Sequence, residues 1–370
     1  MQVSSITGKQ ADVRTFQPDD RLILPTCYVG VESEVEGVRI DRIKAPKYWN
    51  VVEDGSLRKG AEFVLSEPLM GVDLITSLEN LEKAGQDYGV VQSVRTSVHV
   101  HVDARDMSLR ALLNLIGLYL IIEKVIYRYH DHGYNRHENI YCLPFYNATR
   151  HLEYLGGLSS VLKLAEGEES QDVARNIQHH LQNLNKYYGL NVAALFNFGS
   201  LEFRHMEGST NSEGILEWIN ILMAMKKYAC SYEGHPYEML TGISGAGYMS
   251  VIGDVFSKDV ISKLFNYPEV DDDILDGMRI FQDMIYAGDL NDSSNNYMKA
   301  VVKKNPNFKE SDTFKNLLKK RKPKGEKVKS AIGGIELHME QMRRAARMQR
   351  VNAVPPADPQ PVFIDREEEL

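Results

Sequence analysis

Three short segments carry polar residues at a spacing of two inside otherwise apolar sequence: Glu32-Ser33-Glu34, His99-Val100-His101 and Glu202-Phe203-Arg204. In a β-strand, residues i and i+2 point to the same face of the sheet. Each pair therefore projects side by side, and neighbours such as Val31, Val35, Val98, Val100 and Val102 supply the opposite, apolar face. Burying like charges together is costly unless cations compensate them. A strand face bearing carboxylates, imidazoles and an arginine makes a poor core and a good site for metal ions and phosphate. Each pair alone also has a bland reading: an acidic stripe on an edge strand, satisfied core histidines, or a structural salt bridge.

The 370 residues, 43% of them hydrophobic, suffice for one large domain or two smaller ones. Cys27, Cys142 and Cys230 are an odd, widely spaced set. They predict reduced thiols in a cytoplasmic setting rather than a disulfide framework. The first residues, MQVSSITGKQADVR, contain no apolar core of a signal peptide. The most apolar run, 111–122, is too short to span a bilayer and reads as a buried helix, so no membrane partner is expected.

Charge divides the chain. Residues 299–350 hold 16 Lys/Arg against 5 Asp/Glu, and residues 351–370 hold 1 Arg against 5 acids. The first 298 residues carry 26 basic and 41 acidic side chains. An acidic body with a basic tail implies regions of different role. The tail reads as a solvated segment or as a recruiter of an acidic protein partner; nucleic-acid binding is the minority reading.

Periodicity and turn signals predict strands over 27–36, 49–53, 61–66 and 96–103, with an amphipathic helix over 72–84. Ser108 is placed as the N-cap of a long helix running to about residue 130. Further on, 171–187 reads as helix, 190–196 and 200–206 as a hairpin turning near Gly199, and 211–230 as helix, with more helices to about 287. Residues 335–350 could form one more helix. Adjacent strands that form hairpins favour an antiparallel α+β sheet over a Rossmann arrangement. No G-x-G-x-x-G or Walker A loop is present. The expected organisation is a peripheral segment over 1–20, a catalytic domain with a helical C-terminal part over 21–292, and a basic, partly helical or disordered tail over 293–370.

Asp54 and Glu62 lie across a turn that contains Gly55 and Gly60. Asp54 could equally be a plain turn residue. His130, His132 and His137 lie around the end of the long helix and read as solvated rather than as a zinc site. Arg136, in NRHENIYCLPF, is a candidate for contact with an anionic substrate, and Arg58 and Arg95 could also reach the site.

Taken in order, GVESEVEG, EDGSL…GAEFVLSEPL, SVHVHVD, RHENIYCLPF and YYGLNVAALFNFGSLEFRHMEGS resemble the amidoligase family. It is part of the wider glutamine synthetase and glutamate–cysteine ligase superfamily of carboxylate–amine ligases. The resemblance covers residues 27–230 and rests on the order and spacing of the motifs. It implies a curved, mostly antiparallel sheet of glutamine synthetase-like type with flanking helices, whose concave face binds ATP and two Mg²⁺ ions. Carried over position by position, Glu34, Asp54 and Glu62 would hold one ion, and Glu32, His99 and Glu202 the other. His101 and Arg204 would face the γ-phosphate. Outside that carried-over set, Arg58 is the candidate for assisting nucleotide binding and Arg136 the candidate for contacting the reacting anion. Asp54 stands where relatives have a glutamate, and Arg95-Thr96-Ser97 replaces their usual small-residue or cysteine lead-in to the H-x-H strand.

The implied reaction joins a small-molecule or peptide carboxylate to an amine through an acyl phosphate. Two alternatives are kept: a non-catalytic scaffold that retains the fold, and a metal-dependent hydrolase that needs no ATP.

Overall fold

Six segments pair into one antiparallel sheet: β1 (Val29–Glu36), β2 (Trp49–Val52), β3 (Gly60–Leu65), β4 (Ser97–Asp103), β5 (Leu190–Asn191) and β6 (Ser200–Glu207). Their order across the sheet is β2-β3-β1-β4-β6-β5. The computed structural model describes residues 1–10, 14–134, 136–148 and 184–290, with five isolated positions between 149 and 183. Of the helix expected over 171–187, residues 184–187 are described and are not helical, while most of the rest lies outside the described residues, as do the tail from 293 onward and the helix expected over 335–350.

Alternation decides which side of the sheet is covered. Val29, Val31 and Val35 of β1, Phe63 of β3, Val98, Val100 and Val102 of β4, and Phe203 of β6 are all buried. The described α-helices are α1 (Val3–Thr7), α2 (Gly71–Tyr88), α3 (Leu109–Tyr129), α4 (Ala194–Phe198), α5 (Ser212–Ser231), α6 (Pro236–Ala246), α7 (Tyr248–Val255), α8 (Lys258–Leu264) and α9 (Val270–Leu290). α3 contacts both α5 and α9, and α5 contacts β4. The fold class is α+β, as the hairpin pattern predicts.

α3 shows how sequence and packing agree. Ser108 caps it, its side chain accepting from the Ala111 N–H at 3.0 Å. Satisfying an orphan amide this way is worth about 1 kcal/mol. Nearly every side chain from Leu109 to Tyr127 is buried, which is why the run is apolar on all sides. Among the described residues, no helix is long and apolar enough to cross a membrane.

One segment departs from expectation. Residues 190–196 do not form a full strand: β5 has two residues, paired to Phe203 and Glu202 of β6, and the short helix α4 fills the connection. Gly199 ends α4 in the left-handed conformation at φ 76°. At the chain start, α1 buries Val3 and Ile6.

Candidate active site

Strand register brings the three pairs together. Glu32 lies opposite His99 across β1 and β4, Glu34 opposite Glu62 across β1 and β3, and His101 opposite Glu202 across β4 and β6. The polar residues thus occupy adjacent positions on four neighbouring strands. Directly opposed like charges such as Glu34 and Glu62 are unfavourable in a sheet unless something offsets them. The register of β4 on β6 shifts between Val98 and Val100, where two steps on β4 face three on β6. Such bulges re-aim side chains next to functional sites.

Gly60 permits this register. A Cβ there would stand 2.1 Å from the Val35 carbonyl oxygen, so only glycine lets β3 approach β1 at the point that sets Glu62 against Glu34. Gly55 faces no such constraint. Asp54 both makes the turn and joins the cluster. Its Oδ1 accepts from the Ser56 N–H at 2.6 Å, and it offers a ligand atom within 4.8 Å of those of Glu34 and Glu62.

Two other groups of potential ligands meet the same 4.8 Å limit: Glu32, His101 and Glu202, and Glu32, Glu62 and His99. The geometry therefore brings His101 as well as His99 to Glu32 and Glu202. His99 remains close to both, its Nδ1 lying 2.9 Å from Glu32 and 3.6 Å from Glu202. His101 Nε2 lies 3.4 Å from Glu32 Oε1 but is buried without a hydrogen-bond partner. Arg204 pairs with the Glu202 carboxylate through Nη1 and donates from Nε to the Tyr141 carbonyl at 2.9 Å.

Charge state follows from this crowding. Burial pushes the Glu62 carboxyl up, and the carboxylates of Glu32, Glu34 and Asp54 push it further, to about 8. Burial also raises the Glu32 carboxyl, but the imidazoles of His101 and His99 together outweigh it and hold Glu32 well below the usual range. For Glu202, burial is likewise overcome by His101, Arg204 and His99, and its carboxyl is held low. Burial lowers His101, yet Glu32 and Glu202 reverse this and raise it. The Glu32–Glu202 end of the site is thus offset by imidazoles and Arg204, whereas at Glu62 the pull of Arg204 is outweighed by burial and three carboxylates.

The sheet face opens into a cavity of about 320 Å³ that contains Glu32, Glu34, Asp54, Glu62, His99 and Arg204. Arg95, Arg136, Lys186, Tyr141 and Tyr187 also line it. A second cavity of about 230 Å³ shares Glu32 with the first and is also lined by His101, with Tyr28, Pro68 and Phe198 in its wall. Arg58 is exposed and lines neither.

Arg136 is only 2% exposed. Its Nη2 donates to the Arg204 carbonyl at 2.7 Å and its Nε to the His205 carbonyl at 3.3 Å, so it braces β6 from within. His132 and His137 are exposed, as expected. His130 is not solvated: it is buried, its ring 4.4 Å from that of Trp218, and burial drives its imidazole well below the ordinary value. The helix end tucks under α5 and takes His130 with it.

Several site groups lie beyond the motifs. Ser97 Oγ contacts Glu34 at 2.7 Å and His99 Nε2 at 2.9 Å, and Ser200 Oγ contacts His101 Nδ1 at 3.1 Å. Each stands two residues before a motif residue, so the same period could have found it. Asn191 donates to Glu202 at 2.6 Å from β5, and nothing in the local pattern signals it.

The profile of the family described as "Putative amidoligase enzyme" matches residues 28–226, more than half of the chain. No curated protein matches the chain. The matched span begins at the edge of β1, ends within α5 and contains every residue of the acid cluster. The chain belongs to this family of amide-bond-forming ligases.

Proposed function

We propose that the chain is an ATP-dependent carboxylate–amine ligase that works through an acyl phosphate. The observation that carries the reading is the fused acid cluster, with Glu62 pushed up to about 8 and Arg204 beside it. A carboxylate is a poor electrophile, and two anions meet only where positive charge offsets them. Attack of the substrate carboxylate on the γ-phosphorus of ATP forms the acyl phosphate and releases ADP. An amine then attacks the acyl carbon, expels phosphate and gives up one N–H proton to the released phosphate or solvent, leaving the amide.

The donor set fits hard divalent cations. Carboxylate oxygens dominate, as Mg²⁺ prefers, and a site that raises Glu62 to about 8 already demands a cation or a proton. Glu34, Asp54 and Glu62 would hold one ion; Glu32 and Glu202 would hold the other with His99, whose Nδ1 lies 2.9 and 3.6 Å from them, leaving His101 for the phosphate. When bound, such ions supply the charge that neutralises the meeting anions.

The chain's own residues do the rest. Arg204 is aimed by Glu202 and by the Tyr141 carbonyl, so its remaining N–H groups are pre-oriented for phosphate oxygens. His101, its imidazole raised by Glu32 and Glu202 against its burial, would offer a buried N–H at Nε2. Arg136 acts through the backbone of β6. The smaller cavity, with Tyr28, Pro68 and Phe198 in its wall, suits the uncharged part of a nucleotide whose phosphates reach the cluster.

The test supplies ATP, Mg²⁺, a mixture of carboxylates and hydroxylamine as the amine. Hydroxamate and phosphate should appear in equal amounts, and an isotopically labelled carboxylate oxygen should pass into the phosphate. Phosphate release without hydroxamate or label transfer would sink the reading. Cleavage of amides without ATP would favour a hydrolase. The double variant Glu202→Ala, Arg204→Ala should lose turnover and keep its fold; surviving ligase activity would contradict the assignment.

A further inference from the structure

The lead-in Arg95 and the mouth of the larger cavity have no part in the chemistry above. Arg95 lines that mouth with Lys186, Tyr141 and Tyr187. Neither cation forms an ion pair with a described carboxylate: Arg95 donates to the Ser56 carbonyl at 2.8 Å, and Lys186 lies over the Tyr187 ring. Immediately beside these lining residues, and outside the cavity, stand Val94, 57% exposed, and Ile140, 66% exposed. Tyr141 and Tyr187 are 43% and 37% exposed, with ring centroids 5.6 Å apart.

Single exposed apolar side chains are ordinary; a group of them around one opening is not. Among the described residues nine large hydrophobic side chains are exposed, and four of them are these. The surface is also preformed. Asn139 Nδ2 donates to the Val94 carbonyl at 3.2 Å, tying the segment before β4 to the segment after α3. The Tyr141–Tyr187 contact ties that second segment to the approach to β5.

Resting on the ligase reading, we infer that the carboxylate substrate is a peptide: one carboxylate enters the cavity while flanking apolar and acidic residues lie on the rim of Val94, Arg95, Ile140, Tyr141, Lys186 and Tyr187. A free amino acid held at the cluster leaves Val94 and Ile140 uncovered, because neither lines the cavity. Apolar residues of an extended chain cover them, and acidic residues meet Arg95 and Lys186, neither of which forms an ion pair with a described carboxylate. The acid cluster below disfavours such a chain until cations occupy it, so peptide binding follows metal binding.

The experiment uses the full chain with Mg²⁺ and two pools of short, fluorescently labelled, end-blocked peptides, each with one central glutamate. One pool flanks it with leucine, phenylalanine and aspartate, the other with serine, glycine and lysine. Binding is read by anisotropy, and ligation by ATP-dependent phosphate release, with free glutamate for comparison. The apolar-acidic pool should bind and turn over best. Val94→Ser with Ile140→Ser, and separately Arg95→Gln with Lys186→Gln, should each weaken its binding about tenfold. These are exposed positions, so an unchanged melting temperature accompanies the loss. Equal use of free glutamate, equal binding of both pools, or variants that leave peptide binding intact would overturn the inference. So would concentration-dependent self-association abolished by the same variants, which makes the rim a contact between copies. If the variants abolish peptide binding but no condition gives turnover, the docking surface stands and the ligase reading fails.

Discussion

Glu62 controls the charge balance of the cluster. It sits opposite Glu34, and burial with three neighbouring carboxylates raises it to about 8. Its folded value lies above its unfolded value, so ionising it costs stability progressively as pH rises from the ordinary carboxylate range to about 8. A divalent cation removes that cost by displacing the proton. At about pH 7, Mg²⁺ uptake should therefore release close to one proton, and affinity should rise with pH until about 8. Titration calorimetry in buffers of different ionisation enthalpy counts the proton. Glu62→Gln should abolish the release and weaken Mg²⁺ binding; a proton count of zero in the unmodified chain would contradict this account. The aim of Arg204 gives a second expectation. Lysine cannot reproduce two fixed contacts and still present N–H groups to phosphate, so Arg204→Lys should lower kcat by about a hundredfold or more with little change in melting temperature. An unchanged kcat would show that the guanidinium is not the group that meets the phosphate.

At the scale of elements, β1, β4 and β6 were legible because a period of two is written directly into their residues. Ser108 and the all-round apolar run made α3 equally readable. Residues 190–196 were not, since Leu-Asn-Val-Ala-Ala-Leu-Phe alternates over a stretch too short to separate strand from helix. Only pairing with β6 makes Leu190 and Asn191 a strand, and that information is nonlocal. Register is nonlocal too. The sequence shows that Glu34 and Glu62 are acidic; it does not show that they oppose one another. For the same reason it could not show that both histidines approach Glu32 and Glu202, or that His130 is covered by Trp218. The two glycines of the turn separate what the local pattern could not. Gly60→Ala drives a Cβ into the Val35 carbonyl, whereas Gly55 meets nothing within 4 Å. Gly60→Ala should destabilise the fold by about 2 kcal/mol or more and weaken Mg²⁺ binding through the displaced Glu62. Gly55→Ala should leave metal binding unchanged. Equal effects in denaturant titrations would show that strand approach is not what Gly60 provides.

For the whole molecule, the sheet and the helix layer meet at a second buried acid, outside the cluster. Glu123 of α3 is fully buried and accepts from Tyr119 Oη at 2.6 Å and from the Phe145 and Tyr146 N–H groups at 2.5 and 2.9 Å. Tyr119 also reaches His205 of β6 at 2.9 Å, so one carboxylate links α3, β6 and the segment that carries Tyr141 to the cavity. Burial raises this carboxyl to about 7 despite those three donors. Its stabilising share is complete below the unfolded carboxylate value and is lost as pH rises to about 7, a change on the order of 3 kcal/mol. Glu62 pulls in the same direction, while Glu32 and Glu202, held low, contribute stability that is lost only in acid. The buried imidazoles of His130 and His205, both held low by burial, act in the opposite sense and withdraw stability as pH falls below the ordinary histidine value, so the carboxyl-driven decline without metal is read above that value. Saturating Mg²⁺ should remove the Glu62 part of the decline and leave the Glu123 part. Comparing Glu123→Gln with the unmodified chain isolates the latter: whatever the offset between them, the variant's unfolding free energy should rise relative to that of the unmodified chain between about pH 5 and about pH 7. Parallel curves would mean that Glu123 stays ionised throughout, and that the hydrogen bonds from Tyr119, Phe145 and Tyr146 outweigh its burial.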